Sequence, residues 1–243
     1  MGTVLILGAT SSVALELSRI YAQQGYSLLL AARSVYRLKP LKDDLTIRFK
    51  SSVDLKEFDA EAIAQHATFY DSLDPKPDIV VCLFGVLGDQ REAEMDWEIA
   101  QRILTVNYIG AVSILSIIAK DFKNRKRGVI VGVSSVAGER GRQSNFFYGS
   151  AKAGFTAYLS GLRNQLFRYD VSVITIIPGF IRSKMTSTIA TPEILTATPN
   201  QVARAIAKGI NRKKDLVYIL WIWKWIMFLI KLIPEKIFKR FNF

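Results

Sequence analysis

Tyr148 and Lys152 are the two residues of this chain whose types and spacing first suggest acid–base chemistry. Residues four apart in a helix share a face, so the ammonium group can lie beside the phenol. With nine tyrosines and seventeen lysines in 243 residues, a tyrosine four residues before a lysine is unremarkable on its own. Ser135, at the end of an apolar run, and Asn107, an asparagine within a helical pattern, add to it. Together these groups could protonate and hold an oxygen atom that gains negative charge.

A turn of small residues follows the first apolar run. Such a turn lets backbone N–H groups and a helix N-terminus meet a pyrophosphate. Gly8 is the one glycine of the usual set, so a plain strand–helix turn is the alternative. The candidate cofactor-binding residues here are Gly8, Thr10, Ser11, Ser12 and Val13.

Arg33 follows the second apolar run, where sites selective for NAD(H) usually carry an acid for the ribose. An arginine at this point suits the 2′-phosphate of NADP(H). The sequence therefore favours NADP(H), with NAD(H) possible and a solvated surface arginine as the alternative.

Short apolar runs alternate with helical patterns, which is typical of βαβ units. Strands are predicted at residues 3–7, 27–31, 53–58, 79–83, 128–133, 172–177 and 216–220, and helices at 14–24, 60–72, 96–120, 149–168 and 201–211. Asn200 is the predicted N-cap of the last helix. The expected fold is a Rossmann-type, doubly wound α/β domain with about seven parallel strands and sites at their carboxyl ends.

The combination of Asn107, Ser135, Tyr148 and Lys152 with the later segment 178–183 resembles the short-chain dehydrogenase/reductase family over residues 3–220. The resemblance implies a nicotinamide-dependent oxidoreductase in which Tyr148 is the acid or base. The resemblance also implies that Lys152 holds the nicotinamide ribose, that Ser135 bonds the substrate oxygen, and that Asn107 orders water linking Lys152 to solvent. Lys152 and the nicotinamide charge are expected to lower the pKa of the phenol.

The resemblance implies further cofactor contacts. Ser183 is placed at the nicotinamide carboxamide, and Asp59 and Gly85 flank the adenosine; for Asp59 a solvated carboxylate is the alternative. The other cofactor-binding residues that the resemblance implies are Pro178, Gly179 and Ile181. The glycine turn departs from the family pattern.

Three segments, 84–89, 134–140 and 144–150, together with the basic aromatic tail, resemble one branch of this family. That branch reduces decaprenylphosphoryl-2-keto-pentose and works with a flavin oxidase to epimerise a lipid-linked ribose to arabinose. A reductase or dehydrogenase of another lipophilic ketone or alcohol, such as a steroid or fatty-acyl compound, shares every catalytic residue. A catalytically silent nucleotide-binding scaffold is the alternative from another class.

The tail after residue 220 is basic and aromatic. From Arg204 onward ten lysines and arginines face two acids, and three of the four tryptophans lie there. Lys224 and Lys231, seven apart, favour an interfacial helix over a membrane span. Residues 1–220 are therefore predicted to form the catalytic domain and 221–243 a membrane-interface tail, with an oligomer interface as the alternative.

The single cysteine, the single histidine and the first ten residues bear on the compartment and the partners of the protein. Cys82, in an apolar run, is expected to be a buried thiol in a reducing compartment. His66, the single histidine, has no ligand partners at metal spacing, and no metal site is predicted. Residues 1–10 do not read as a signal peptide. The prediction is a cytoplasmic, peripherally membrane-bound homo-oligomer that does not bind nucleic acid.

Overall fold

Seven parallel strands form the central sheet of the computed structural model, which describes residues 2–183 and 191–241. They are β1 (Thr3–Leu7), β2 (Ser27–Ala32), β3 (Val53–Glu57), β4 (Ile79–Cys82), β5 (Gly128–Val133), β6 (Val171–Pro178) and β9 (Leu216–Ile219). Their order is β3-β2-β1-β4-β5-β6-β9, and β7 (Phe180–Ile181) pairs with β8 (Thr196–Ala197) beside the sheet. The order reverses between β1 and β4, so the predicted doubly wound fold is confirmed.

Both faces of the sheet are buried, which explains why the strands are continuously apolar. Val4 and Ile6 face one side, and Leu5 and Leu7 face the other, each within a separate core cluster. The helices of the domain are α1 (Ser12–Gln23), α2 (Lys39–Phe49), α3 (His66–Asp71), α4 (Gln90–Met95), α5 (Trp97–Leu104), α6 (Gly110–Arg125), α7 (Phe146–Leu166) and α8 (Pro199–Asn211).

Several predicted helix bounds were wrong. The helix predicted at 60–72 is a 3₁₀ turn followed by the shorter α3, and the one predicted at 96–120 runs to Arg125 through a π-helical turn, Thr105–Ile109. Helix α7 begins three residues earlier than predicted, at Phe146. Helices α2 and α4 were missed; α2 carries a charged sequence with only two buried residues.

The predicted N-cap at Asn200 was also wrong. Thr198 caps α8, and its hydroxyl accepts from the Gln201 N–H while the Gln201 side chain accepts from the Thr198 N–H. This capping box leaves Pro199 as the first helical residue, where a missing N–H costs nothing. The Asn200 amide instead donates to Glu16, joining α8 to α1.

The tail folds back onto the domain as helices α9 (Ile222–Leu232) and α10 (Glu235–Phe238). Trp223 and Met227 are buried against Val136 and Ile177, next to the carboxyl end of β6. The Trp223 indole N–H donates to the Leu195 carbonyl at 3.1 Å. One face of the tail therefore completes the hydrophobic core at this end of the sheet.

The residues before α7 hold the tail in place. Arg140 donates to the carbonyls of Ile230 at 2.5 Å and Ile233 at 2.7 Å, so it closes the C-terminus of α9. Its guanidinium also stacks on Phe238, with 3.8 Å to the ring centroid. Lys231, one of the two lysines that favoured an interfacial helix, pairs with Glu139 at 2.8 Å. These contacts fix the orientation of α9 relative to the sheet.

One stretch, Trp97–Arg125, is long and apolar enough to span a membrane by length and composition. Half of its most apolar window is buried inside the protein, and its helices pack on α3 and α7. That pattern is typical of a core helix, and we assign it no membrane role.

We predict that Trp223→Ala lowers the free energy of unfolding by about 3–5 kcal/mol, because a large buried side chain leaves a cavity. Trp225→Ala is the matched control, since Trp225 lies on the same helix and is 55% exposed. It should change the free energy by no more than about 0.5 kcal/mol. Urea denaturation measures both, and equal losses would contradict the packing described.

Candidate active site

A pocket opens at the carboxyl ends of β1, β4, β5 and β6, with a volume of about 1120 Å³ when the space continuous with solvent is counted. The structure brings most of the predicted site residues to its wall: Ser11, Ser12, Val13, Gly85, Ser135, Tyr148, Lys152, Pro178, Gly179, Ile181 and Ser183. Gly8, Thr10, Arg33, Asp59 and Asn107 do not line it.

Ser135 reaches Tyr148 because the turn that it begins packs directly on helix α7. Ser135 is extended at the end of β5, and its hydroxyl oxygen accepts from the Ala137 N–H at 3.1 Å. A Cβ on Gly138 would lie 2.6 Å from the Ala153 nitrogen, and one on Gly149 would lie 2.9 Å from the Ala137 carbonyl oxygen. Two glycines thus allow the turn and the helix to touch backbone to backbone.

Lys152 is 4% exposed, and its ammonium donates to the Val133 carbonyl at 3.1 Å. Its Nζ lies 5.7 Å from the centroid of the Tyr148 ring. Burial lowers the pKa of Lys152 to about 8, since the charged form loses its water. The ammonium keeps two further N–H groups for other partners.

The expected lowering of the Tyr148 pKa does not occur in the protein alone. Burial raises the pKa of Tyr148 to about 12, and a hydrogen bond with Ser135 only partly opposes the shift. Desolvation disfavours the phenolate more than this neighbour favours it. Tyr148 is therefore held as a neutral phenol, ready to donate a proton.

Asn107 lies in the π-helical turn, which is a frequent feature of functional sites. Its amide nitrogen donates to the Val86 carbonyl at 2.6 Å and the Ile103 carbonyl at 2.8 Å, and its oxygen accepts from the Val86 N–H at 3.3 Å. A Cβ on Gly85 would lie 2.7 Å from that oxygen. Asn107 thus fixes the loop after β4 beside Lys152, while the water relay stays a prediction.

The turn after β1 fits a pyrophosphate. Gly8 has a φ of +88°, and a Cβ there would lie 2.7 Å from the Phe84 nitrogen, so only glycine fits. Ser11 caps α1 by accepting from the Ala14 N–H at 3.1 Å. Within the described part of the chain, the N–H groups of Ser12 and Val13 donate to no protein group. They are therefore available at the positive end of the α1 dipole.

Of the two residues predicted at the adenosine, Gly85 lines this pocket, whereas Asp59 lies outside it, as does Arg33. Arg33 follows β2, is exposed, and sits 3.5 Å from Glu61, which also pairs with Arg102. Asp59 accepts from the Glu61 N–H with one carboxylate oxygen. Thr10 is exposed in the turn.

The pocket residues that were not predicted as site residues include Arg142, Asn145, Phe180 and Trp223. Trp223 belongs to the tail, and its ring meets Phe180 edge to face at 5.5 Å. A Cβ on Gly179 would lie 2.0 Å from the indole, so Gly179 is required by the tail. No local sequence signal links residues 179 and 223.

The remaining reactive side chains belong to the core. His66 is 1% exposed, and its ring nitrogens bond the Ser113 hydroxyl and the Asp59 carbonyl, each at 3.0 Å. Cys82 is a buried free thiol. The described residues contain no cluster of His, Cys, Asp and Glu that could hold a metal ion.

Comparison with known proteins agrees with this geometry. A model of the short chain dehydrogenase family matches residues 2–193. The chain belongs to that family. An uncharacterized oxidoreductase of Mycobacterium tuberculosis is 35% identical over 240 residues, 98% of this chain and 96% of the relative.

Solved members of the family share the fold. A short-chain dehydrogenase from Sphingobium yanoikuyae in complex with NADPH has a TM-score of 0.84 at 21% identity, covering 97% of both chains. A 7β-hydroxysteroid dehydrogenase has a TM-score of 0.85 at 17% identity, covering 98% of this chain and 95% of the other. The protein is therefore an oxidoreductase of the short-chain dehydrogenase family.

We predict that kcat/KM for ketone reduction falls above about pH 8. Below its pKa of about 8 Lys152 carries a positive charge that would stabilise a Tyr148 phenolate, and above that pH the charge is lost. A profile from pH 6 to 10 with a neutral ketone should show a limb of slope −1. A flat profile across that range would contradict the assignment.

Proposed function

We propose that this oxidoreductase reduces a ketone with NADPH, with Tyr148 as the proton donor. The observation that carries the proposal is the convergence of Ser135, Tyr148 and Lys152 on one pocket wall, facing the unpaired N–H groups of α1. A proton donor, a cation and an anion-binding helix end are the parts that such a reaction requires.

The proposed roles follow from the bonds that each group already makes. The bound nicotinamide would supply the hydride, and the carbonyl oxygen would then take the phenol proton of Tyr148. The Ser135 oxygen accepts from the Ala137 N–H, so its O–H, which bonds Tyr148 in the protein alone, is the group that it would offer to the carbonyl oxygen. Lys152 is anchored on Val133 and can offer its other N–H groups to the cofactor ribose and the phenol.

The cofactor would be held by Ser12, Val13, Gly85, Ile181 and Ser183 around the pocket. Arg33 is the proposed ligand of the 2′-phosphate, because it is exposed and its contact with the half-buried Glu61 is long. The Sphingobium relative was solved with NADPH, which supports NADP(H) over NAD(H).

The proposed substrate is the keto group of a polyprenyl-phosphate-linked sugar, supplied as a ketone by a partner flavin oxidase. Support comes from the resemblance of segments 84–89, 134–140 and 144–150, and from a pocket beside a basic, aromatic tail. The apolar wall of Leu83, Phe84, Phe180 and Trp223 equally suits another lipophilic ketone, which is the second candidate.

The test is oxidation of NADPH or NADH on incubation with a lipid-linked keto-sugar, compared with free lipophilic ketones. We expect turnover of the keto-sugar, faster with NADPH. Tyr148→Phe should lower kcat by about 10²–10⁴-fold, the usual contribution of a positioned acid, with cofactor binding intact.

Tyr158→Phe is the matched control. Tyr158 lies on the same helix but bonds Ser116 at 2.8 Å, away from the pocket, so turnover should be unchanged. Turnover by Tyr148→Phe at the wild-type rate would refute the mechanism. Preference for a free ketone would favour the second candidate.

We also propose that the tail holds the protein on the inner face of an anionic membrane. The exposed side of the tail carries large apolar residues among lysines and arginines, which suits an interfacial helix. The exposed apolar residues are Trp221, Trp225, Phe228, Leu229, Leu232, Ile237 and Phe241. The homo-oligomer expected from the sequence stays a prediction.

Deleting residues 221–243 would also remove the buried Trp223, so the test must spare the inner face. We predict that serine at Trp225, Phe228, Leu229 and Leu232 lowers partition onto phosphatidylglycerol vesicles at least about tenfold, because each loses apolar area at the interface. Co-sedimentation measures this, and the melting temperature should stay unchanged.

The control replaces other exposed apolar residues, Ile47, Met95 and Phe167, by serine. These lie outside the tail, and vesicle binding should be retained. If the tail variant pelleted like the wild type, the tail would not be the anchor.

A further inference from the structure

Arg142 lines the pocket, and its buried Nε has no hydrogen-bond partner among the described residues. It lies in the loop between the Ser135 turn and α7, six residues before Tyr148, and its carbonyl accepts from the Asn145 N–H at 3.2 Å. Its Nε is buried and makes no hydrogen bond, and within residues 2–183 and 191–241 no carboxylate pairs with it. A buried donor left unpaired costs free energy, so its presence needs an explanation.

The surroundings of Arg142 are those of an anion site. The charged residues that line the pocket are Arg142 and Lys152, and no described lining residue is acidic. Residues 184–190 likewise include no acid in the sequence. Asn145, also in the pocket wall, has a buried side-chain oxygen without a partner. This wall is therefore built for a polar ligand.

The cofactor phosphates have other partners. Ser12 and Val13 at the α1 N-terminus and Arg33 after β2 lie on the β1–β2 side, whereas Arg142 belongs to the β5–α7 loop with Tyr148. The ligand of Arg142 should therefore be part of the substrate. A guanidinium prefers a carboxylate or phosphate oxygen, and in a pocket shielded from water such a bond is strong.

We propose that Arg142 is a specificity residue that binds an oxyanion on the substrate close to the ketone that Tyr148 protonates. The inference rests on the proposed reductase function and narrows its substrate class to anionic ketones. A phosphate ester next to the carbonyl fits this requirement, and a carboxylate shares the same chemistry.

The test uses one long-chain α-hydroxyketone in three forms: free hydroxyl, phosphate ester and carboxymethyl ether. The wild type should prefer an anionic form, and Arg142→Gln should lower kcat/KM for that form by roughly 10- to 100-fold. Turnover of the neutral ketone should stay within about twofold. Comparison of the phosphate and carboxylate forms identifies the anion.

Arg168→Gln, which removes the same charge from an exposed position, is the matched control and should change neither rate. A second measurement does not depend on turnover: the melting temperature of the NADPH-saturated protein is determined with and without inorganic phosphate. Phosphate should raise it for the wild type and not for Arg142→Gln, and the Kd for NADPH should be the same in both.

The results distinguish a failure of the Arg142 inference from a failure of the proposed reductase function. If Arg142→Gln weakened NADPH binding, or slowed neutral and anionic ketones equally, the inference would be overturned while the reductase function stood. If no ketone were reduced with either cofactor, the proposed function would fail; phosphate stabilisation that required Arg142 would then still support an anion site there.

Discussion

The backbone contact between the Ser135 turn and helix α7 is the constraint on which the rest of the site depends. Gly138 and Gly149 leave no room for a Cβ, because either would come within 3 Å of a backbone atom of the opposite element. Any larger side chain would force the turn off the helix and separate the Ser135 hydroxyl from Tyr148. The geometry is thus set by two residues that do not line the pocket, and the positions of the reactive side chains depend on it.

Burial sets the electrostatics in a way that residue types alone do not convey. The sequence expectation counted the attraction between the Lys152 ammonium and a Tyr148 phenolate. Desolvation acts on both groups, and it moves the pKa of Lys152 down to about 8 and that of Tyr148 up to about 12. The protein therefore holds a protonated phenol beside an ammonium that is close to losing its charge. In the protein alone Tyr148 is therefore present as the phenol, the form that can give a proton to a carbonyl.

Much of the fold could be predicted because parallel strands that are buried on both faces consist of consecutive apolar residues. Both ends of the strands Thr3–Leu7 and Gly128–Val133 were predicted correctly. Helix ends were less predictable, since capping depends on side-chain bonds such as that of Thr198 to Gln201. The reactive residues could be found from their spacing along the chain. Arg142 and Trp223 could not, because their place in the pocket depends on tertiary packing between distant segments.

Side-chain contacts fix the tail to the Ser135 turn. Glu139 and Arg140 follow the Ser135 turn directly, and they hold Lys231 and the last carbonyls of α9. Glu139 also accepts from the Tyr218 hydroxyl, which ties the turn to the edge strand β9. Since Trp223 on the same helix forms the pocket wall, the outward apolar face of α9 is held at a fixed orientation to the active site. A membrane bound on that face would lie beside the pocket, so an amphiphilic substrate could keep its chain in lipid while its anionic ketone reached Arg142 and Tyr148.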